Sequence, residues 1–334
     1  MSGILIRPLA HEDGYATVAV VNAAGGRAVV DASGRVRLAR YLPPGTEQVV
    51  GVDGSGAVVG YAYLAYREGV LVQETGGAVH PDRQAAGVGA VLAGWAVERA
   101  TVRAGTIAGN VRGVLRALVF EGEDRARALY ETFGLRHVRT WTHLEVALPP
   151  GDGGWPDPPP GMAIRPMDLD RDWDQVGPVM DVAFADHWGT VPTALAQPPD
   201  PSPVDPVPRD VTFDNAPGLC FVALAGATVV GGLLANGKTA ERPGTGRIGS
   251  LFVLPEHRRR GIGQALVLTA FTAFRRRGIT RVVVDTDTEN PTGAIRLYQR
   301  LGMRPYRREL VLEQTVRSGR EVRVITAKPD TAHL

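Results

Sequence analysis

The stretch Val253-Leu-Pro-Glu-His-Arg-Arg-Arg-Gly-Ile-Gly-Gln-Ala-Leu266 determines how the rest of the chain is interpreted. An apolar strand pattern, Ile248 to Leu254, leads into its proline, and a basic run with two glycines leads into an apolar helical pattern. A glycine turn between a strand and a helix presents free backbone N–H groups at the positive end of the helix dipole. The stretch therefore predicts an anion-binding turn to which the arginines add positive charge.

Three interpretations of this turn compete. The first is a tight structural turn with solvated arginines. The second is a dinucleotide-binding fold, since Asp285 follows Gly261 and Gly263 at about the expected distance, but it fails where Leu266 replaces the third glycine. The third comes from a resemblance: Arg258-Arg-Arg-Gly-Ile-Gly263 resembles the (Gln/Arg)-x-x-Gly-x-(Gly/Ala) motif of the GNAT acetyltransferases, whose turn cradles a pyrophosphate.

A second block, Asn290-Pro-Thr-Gly-Ala-Ile-Arg-Leu-Tyr-Gln-Arg-Leu-Gly-Met303, follows the strand pattern Arg281-Val-Val-Val-Asp285. It resembles the later GNAT block Asn-x-x-(Gly)-Ala-x-x-Leu-Tyr-x-x-x-Gly-Phe, with Met303 in place of the aromatic residue. The resemblance implies that Asn290 lies near the pantetheine arm and that Tyr298 is the general acid that protonates the leaving thiolate. From the residues alone, Tyr298 belongs to an apolar helical stripe and is a core tyrosine with one polar group.

The two blocks together imply a fold that binds acetyl-CoA or another acyl-CoA as its cofactor. In the GNAT family, the strand before the proline diverges from its neighbour and offers backbone groups to pantetheine and to the thioester. The resemblance therefore implies these cofactor-binding residues: Leu251, Phe252, Val253, Arg258, Arg259, Arg260, Gly261, Ile262, Gly263, Gln264 and Asn290.

Composition restricts the other classes of function. The chain has 334 residues and a net charge of +2, which leaves room for two domains and argues against a dedicated nucleic-acid-binding protein. Its single cysteine, Cys220, excludes an intrachain disulfide framework. It has no apolar run of about 20 residues, no signal-peptide pattern and no metal-ligand spacing. We expect a cytoplasmic protein that uses no metal, membrane or nucleic acid.

The chain contains an internal repeat. Three blocks recur in the same order, which indicates two copies of one fold. The recurring blocks are Ile4-Leu-Ile-Arg-Pro-Leu9 with Met162-Ala-Ile-Arg-Pro-Met167, Val79-His-Pro-Asp-Arg-Gln-Ala-Ala-Gly-Val-Gly89 with Val253 to Gly263, and Arg127-Ala-Leu-Tyr-Glu-Thr-Phe-Gly-Leu135 with Ile295 to Met303.

The repeat indicates two tandem domains of one fold, and the resemblance implies that each is a GNAT domain of the α/β class, a mixed, mostly antiparallel sheet flanked by helices. We predict an N-terminal domain over residues 1–149, a Pro/Gly linker over 150–161, a C-terminal domain over 162–314 and an extension over 315–334. A proline-rich insertion, Gln197 to Pro208, is either a specificity lid or an ordered surface loop.

The two copies are unequal. The second copy fills every motif position except the final aromatic one, where it has Met303, whereas the first has Gly122 where the second has Asn290, and its basic run is reduced to Arg83. We therefore expect catalysis in the second copy. The first copy is either a degenerate domain that still binds the cofactor or a structural one. If it binds, its candidate residues are Val79, Gln84, Gly87, Val88 and Gly89, with Tyr130 as the counterpart of Tyr298.

The sequence does not single out one residue as the general base. Many GNAT relatives carry a Glu or His on the strand before the proline, but here that stretch is Arg247-Ile-Gly-Ser250, which has no carboxylate. His187, beside Asp186, and Asp287 are the candidates, and His187 has a suitable pKa. A packing or capping role for His187, or a water relay without a dedicated base, is equally compatible with the sequence.

The tandem arrangement and the stretch Ala183-Phe-Ala-Asp-His-Trp-Gly189 resemble the mycothiol synthase-like, two-domain acetyltransferases of actinobacteria. The resemblance implies an acetyl-CoA-dependent N-acetyltransferase in which a primary amine, as part of a small molecule, attacks directly in a ternary complex. Two alternatives stay open: a non-catalytic acyl-CoA-binding or regulatory protein of the same fold, and a protein lysine acetyltransferase.

Overall fold

A computed structural model describes residues 3–26, 28–30, 36–38, 42–43, 45–67, 70–107, 109–151, 154–191, 218–237, 239 and 244–325. The insertion Gln197 to Pro208, for which the sequence allows either a specificity lid or an ordered surface loop, lies outside the described residues. The chain divides into two compact units, unit 1 with residues 1–139 and 309–322 and unit 2 with residues 140–308 and 323–334.

Unit 1 is a six-stranded sheet with three helices. The sheet order is β1-β4-β5-β6-β7-β14, and within the described residues every pairing is antiparallel except the parallel pair β6–β7. A short hairpin, β2–β3, is separate. The elements are β1 (Leu5–Pro8), α1 (Gly14–Ala23), β2 (Ala28–Val30), β3 (Val36–Leu38), β4 (Glu47–Val52), β5 (Val58–Arg67), β6 (Val70–Val79), α2 (Val88–Thr106), β7 (Gly113–Phe120), α3 (Asp124–Thr132) and β14 (Arg304–Arg317).

Unit 2 repeats this plan. Its sheet order is β9-β10-β11-β12-β13-β8, again antiparallel within the described residues except for the pair β12–β13. The elements are β8 (Arg136–Ala147), β9 (Met162–Pro166), α4 (Leu169–Phe184), β10 (Phe221–Ala225), β11 (Thr228–Asn236), β12 (Thr245–Val253), α5 (Ile262–Arg276), β13 (Arg281–Asp287) and α6 (Ala294–Arg300). The mixed, mostly antiparallel sheet predicted for each copy is confirmed.

Each compact unit contains one strand that comes from the other sequence copy. β14, from the second copy, pairs with β7 in unit 1, and residues 140–147 of β8, from the first copy, lie in unit 2, where β8 pairs with β13. The predicted bounds 1–149 and 162–314 therefore mark the repeat but do not coincide with the compact units. Residues 315–317, predicted as the start of an extension, complete β14. A buried central strand needs a backbone partner on each edge, and register, not chain order, decides which strand supplies it.

The repeated Ile-Arg-Pro blocks carry the same ion pair in both units. Arg7 of β1 binds both carboxylate oxygens of Asp13 at 2.5 and 2.7 Å, and Arg165 of β9 binds Asp172 at 2.6 and 2.8 Å. In each unit the same buried carboxylate also accepts a backbone N–H from the chain just before the helix. A bidentate pair fixes the orientation of the carboxylate relative to the guanidinium, so these pairs orient the first helix of each unit on its sheet.

In unit 2 the helices cover both faces of the sheet. α5 and α6 pack on one face and α4 on the other. The α5–α6 side includes Ile248, Leu266, Phe274, Val284 and Tyr298, and the α4 side includes Val176, Ala183, Val222, Leu234 and Phe252. No helix among the described residues is long and apolar enough to cross a membrane.

Candidate functional site

The predicted anion-binding turn joins β12 to α5 and contains two residues in the left-handed conformation. Arg259 has a φ of +63° and Gly261, directly before the helix, has a φ of +82°. A left-handed residue in such a turn directs successive backbone N–H groups to one side, which forms a concavity suited to an anion. The left-handed conformation costs a residue with a side chain about 1–2 kcal/mol, so the surrounding structure holds Arg259 in a conformation that the residue itself disfavours.

Strand β12 separates from β13 just before this turn. The parallel pairing runs from Thr245↔Arg281 to Ile248↔Val284 and ends there. A β-bulge lies at the same level, because Ser250 pairs with Leu234 while Ile248 pairs with the next residue of β11. Beyond the bulge, the described register gives β12 a partner only on the β11 side. The backbone edge of residues 251–253 that faces β13 can therefore accept an extended ligand chain.

The other predicted residues of the turn differ in exposure. Arg260 and Gln264 are exposed at the start of α5, whereas Ile262 is buried beneath the helix. A Cβ added at Gly263 would lie 3.4 Å from Cδ2 of Leu297 in α6, which is ordinary van der Waals contact, so space alone does not require glycine here. Phe252 is buried against α4, and its predicted contribution to cofactor binding is therefore limited to its backbone.

Tyr298 lies in α6 and is only 4% exposed. Burial, with a smaller contribution from the charge of Asp285, raises the pKa of its phenol well above the ordinary value. The phenol carries its proton at neutral pH, as an ordinary tyrosine does and as a general acid must before it donates. The raised pKa makes that donation harder, because it reflects the cost of a buried phenolate.

Asn290 has a structural role in the turn before α6. Its side-chain oxygen accepts hydrogen bonds from the backbone N–H of Thr292 at 2.8 Å and from the Thr292 hydroxyl at 2.5 Å. This is an Asx-type turn, which fixes the amide plane. The predicted contact between Asn290 and pantetheine can then involve only the amide nitrogen as a donor.

The side chain of Arg258, a predicted cofactor-binding residue, has three hydrogen-bond acceptors within unit 2. Its guanidinium donates to Oδ2 of Asp186 at 3.0 Å, to the carbonyl of Ala183 at 2.9 Å and to the carbonyl of Val253 at 3.3 Å. These acceptors belong to the end of α4 and the end of β12. The arginine therefore connects two elements of unit 2, because a planar guanidinium satisfies several fixed acceptors at once.

Asp186 and His187 form a hydrogen-bonded pair after the end of α4. Oδ1 of Asp186 lies 2.9 Å from Nδ1 of His187, and the His187 ring packs edge-on against Phe184 with ring centroids 4.9 Å apart. Burial lowers the pKa of His187, opposed by the charges of Asp186 and Asp287, so the imidazole is neutral at pH 7. Burial acts to raise the pKa of Asp186, but the hydrogen bond and charge of Arg258 outweigh it and hold that pKa below its ordinary value.

The structure brings the two predicted base candidates into one neighbourhood. Asp287, the last residue of β13, is 5% exposed and is close enough to His187 for its charge to act on the imidazole. Its carboxylate accepts the backbone N–H of Glu289 at 2.9 Å. With Nδ1–H donated to Asp186, His187 carries its lone pair on Nε2, which is the arrangement a proton acceptor needs.

Sequence analysis missed a second charged cluster on the sheet. Asp285 of β13 binds Arg247 of β12, and its Oδ1 lies 2.7 Å from Nδ1 of His143 on β8. A carboxylate is thus present beside β12 although β12 itself supplies none. The sequence pattern suggests for Asp285 only the role of the acid in a dinucleotide fold, and the mostly antiparallel sheet rules out that fold.

Unit 1 repeats the shape of the turn without its charge. Ala85 and Gly87 have φ values of +67° and +83°, matching Arg259 and Gly261. Gln84, the counterpart of Arg258, accepts a hydrogen bond from Arg125 of α3 at 3.1 Å, and Arg83 is paired with Asp53 at 2.8 Å. Val79 is half-buried, Val88 is buried, and a Cβ on Gly89 would lie 3.1 Å from Leu129.

The tyrosines of the two units have different surroundings. Burial raises the pKa of Tyr130 to about 12, and a hydrogen bond with Thr75 opposes this increase. Thr75 is the last residue of β6 that pairs with β7, as Ile248 is the last residue of β12 that pairs with β13. Ile248 has no hydroxyl, so unit 2 cannot form the contact that occupies the tyrosine in unit 1.

Cys220 directly precedes β10 and is buried. Burial raises the pKa of its thiol, which disfavours the thiolate. A nucleophilic role for Cys220 has no support in this environment.

Comparison with known proteins places these features in context. Residues 191–303 match the model of the acetyltransferase (GNAT) family. A mycothiol acetyltransferase of Salinispora arenicola is 32% identical over 74% of this chain and 75% of its own, and one of Streptomyces griseus is 28% identical over 86% of each.

Two solved structures share the fold. A GCN5-related N-acetyltransferase from Sphaerobacter thermophilus superposes with a TM-score of 0.74 at 24% identity, covering 95% of this chain and 97% of its own. A tandem GNAT protein from the clavulanic acid biosynthesis pathway superposes with a TM-score of 0.65 at 19% identity, covering 95% and 100%. At these identities the likeness concerns the fold alone.

Proposed function

Because this chain belongs to the acetyltransferase (GNAT) family and is an acyl-CoA-dependent N-acetyltransferase, we propose that its unit 2 transfers an acetyl group from acetyl-CoA to the primary amine of a small molecule. The observation that carries this proposal is the separation of β12 from β13 at Ile248, directly before the turn with Gly261. A slot that ends at an anion-binding turn fits a ligand with an extended arm and a pyrophosphate. The residues that line the slot belong to the second sequence copy.

The residues present fit the proposed cofactor. The N–H groups of the turn from Arg259 to Gly263 would hold the pyrophosphate, and the open edge of Leu251 to Val253 would hold the pantetheine arm. Arg260 and Gln264, exposed at the start of α5, would face the phosphates. When bound, acetyl-CoA supplies an acyl group activated as a thioester. The role of this chain is to align the amine and to handle two protons.

We assign proton removal to His187 and proton donation to Tyr298. The neutral His187, held through Nδ1 by Asp186, accepts the proton of the acceptor amine at Nε2. Tyr298 carries its proton at Oη at neutral pH and donates that proton to the leaving sulfur. Asp287 favours the protonated imidazole through its charge, which stabilises His187 after it has taken the proton.

We propose that unit 1 has a structural role and does not itself catalyse the acetyl transfer. The Tyr130 hydroxyl is hydrogen-bonded with Thr75, and the two arginines beside its turn bind Asp53 and Gln84. These contacts leave unit 1 without the donor and charge that catalysis needs. The bounds of the two functional domains follow the compact units rather than the linker at residues 150–161.

The acceptor is proposed from the relatives. Several proteins that match most of this chain carry the name mycothiol acetyltransferase, and we propose an acceptor of the same general class, a polar small-molecule amine. Acetylation assays with a panel of small amines and lysine peptides, in which the release of free CoA thiol is measured, test this choice. Faster turnover of peptides than of every small amine would replace it with protein acetylation.

Replacing Tyr298 with phenylalanine is expected to lower kcat about 100-fold, because the leaving thiolate then has no general acid. The affinity for acetyl-CoA, measured by calorimetry, should change little, since the ring that packs in the core is kept. The measurement is the steady-state rate with saturating acetyl-CoA and amine.

Tyr130→Phe is the matched control, because it removes the same hydroxyl from the corresponding position of unit 1. It should leave kcat unchanged and cost about 1 kcal/mol of stability through the lost hydrogen bond. Equal kcat values for Tyr298→Phe and the unmodified protein would remove the general acid assignment. A large loss in Tyr130→Phe alone would move catalysis to unit 1.

The proton-accepting role of His187 predicts the pH dependence of kcat/KM. Because the pKa of His187 is lowered from its ordinary value near 6.5, its reactive neutral form predominates above that pH. We expect kcat/KM to fall on the acid side with an apparent pKa below about 6.5 and to stay level through pH 7–8. His187→Gln should remove this acid limb and lower the rate at pH 7 about 100-fold.

Asp287→Asn distinguishes the two base candidates. If His187 is the base, this variant keeps the acid limb and shifts it to lower pH, because a negative charge that raised the imidazole pKa is gone. Loss of the limb in Asp287→Asn, with an unchanged profile in His187→Gln, would assign the base to Asp287.

A further inference from the structure

Arg258 connects the cofactor turn to the pair of residues that handles the acceptor proton. Its backbone begins the turn, directly after the helical turn Pro255–His257, while its side chain reaches 72 positions back in sequence to Asp186. The same carboxylate contacts Arg258 through Oδ2 and His187 through Oδ1. One unbroken chain of hydrogen bonds therefore runs from the turn to the imidazole.

The arginine also fixes the end of α4. The carbonyl of Ala183 is one of the last four of this helix, which have no partner within the helix itself. Arg258 donates to it at 2.9 Å, and a cation at a helix C-terminus is stabilising in its own right. Because α4 ends at Phe184, this contact fixes the positions of Asp186 and His187, which follow the helix, relative to the turn.

We propose that Arg258 is a positioning residue: through Asp186 and the end of α4 it holds the His187 ring in register with the acyl group that the adjacent turn presents. The proposal rests on the proposed function, since it needs His187 as the proton acceptor. Unit 1 has Gln84 at the same position, and that residue bonds to Arg125 of its own α3 instead. The bridge is thus a feature of the unit with the proposed catalytic slot.

The charged groups that act on His187 come from three elements. Asp186 follows α4, Arg258 follows β12, and Asp287 ends β13. Both carboxylates raise the pKa of His187, and the guanidinium lowers it. Removing only the guanidinium charge therefore moves the pKa of His187 upward, a change that a phosphate-binding role for Arg258 would not produce.

Arg258→Gln is the variant that tests the proposal, because glutamine is the natural residue of unit 1 and keeps the (Gln/Arg)-x-x-Gly-x-Gly pattern of the turn. We expect the Kd of acetyl-CoA from calorimetry to stay within about threefold, while kcat/KM for the amine falls about tenfold or more. The acid limb of kcat/KM should move to higher pH. Arg258→Lys, which keeps the charge but not the fork of donors, should recover the pH profile and part of the rate.

The double variant Arg258→Gln with His187→Gln separates the proposal from the function on which it rests. If Arg258 acts through His187, its loss should have almost no further effect once the imidazole is gone. An equal loss in both backgrounds would overturn the positioning role and leave His187 as the base. A Kd for acetyl-CoA weakened about tenfold with an unmoved pH profile would make Arg258 a phosphate ligand. A normal rate for His187→Gln alone would overturn the base assignment and the positioning role together.

Discussion

Replacement of Gly261 with glutamate is expected to abolish acetyl-CoA binding and acetyl transfer. Gly261 is the left-handed residue directly before α5, and its N–H belongs to the group of donors that would face the pyrophosphate. A glutamate there adds a negative charge at an anion site and forces a side chain into a conformation that costs about 1–2 kcal/mol. Calorimetric titration of acetyl-CoA into the purified chain measures the loss directly.

The repeat supplies a closely matched control. Gly87 has a φ of +83° and a ψ of −5°, against +82° and −3° for Gly261, so glutamate at either position meets the same backbone strain. Gly87→Glu should keep one cofactor site and the full rate of transfer, because the proposed catalysis lies in unit 2. If each variant removed its own binding site, unit 1 would also hold the cofactor. If neither variant weakened binding, the turn would not be the cofactor site.

The elements around the glycine turns could be predicted because local sequence determines them. The first glycine of each turn, Gly87 or Gly261, has a positive φ, and the apolar periodicity on either side distinguishes strand from helix within about ten residues. The repeat then doubled the number of observations for each element. The predicted α/β architecture was confirmed for this reason.

The strand exchange could not be predicted, because it depends on long-range pairing. β8 and β14 follow equivalent helices and have similar lengths and apolar content, so each fits the edge of either β7 or β13 by pattern alone. Which edge each strand joins is decided by register and by packing across more than 100 residues of chain. Composition and periodicity carry no information about that choice.

The sequence predicted where the backbone of the site lies but not which partners its side chains bind. The motif located the turn and Tyr298, whose positions follow from local geometry. It did not indicate that the guanidinium of Arg258 binds Asp186, or that Asp285 is held between Arg247 and His143, since these partners come from different elements. A charged residue at a motif position indicates that it has an oppositely charged partner, but it does not identify that partner.

Replacement of Leu312 with alanine is expected to destabilise unit 1 by about 2–5 kcal/mol, although the residue belongs to the second sequence copy. Leu312 lies in β14, is fully buried, and packs with Ala117, Val119 and Leu135 of unit 1. The cavity left by the lost side chain therefore opens beside β7. Hydrogen exchange followed by mass spectrometry should show amide protection falling in β7, while β13 in unit 2 keeps its protection.

Leu144→Ala is the reciprocal variant, because Leu144 belongs to the first sequence copy but is buried in the core of unit 2 beside β13. It should lower protection in β13 and spare β7. The pair of variants distinguishes the exchanged arrangement from two domains divided at the linker, in which each leucine would support its own half. A loss of β13 protection in Leu312→Ala and of β7 protection in Leu144→Ala would instead establish two domains divided at the linker, with no exchanged strand. The exchanged arrangement further requires Leu144→Ala to impair acetyl transfer more than Leu312→Ala, since only Leu144 supports the strand that carries Asp285 and Asp287.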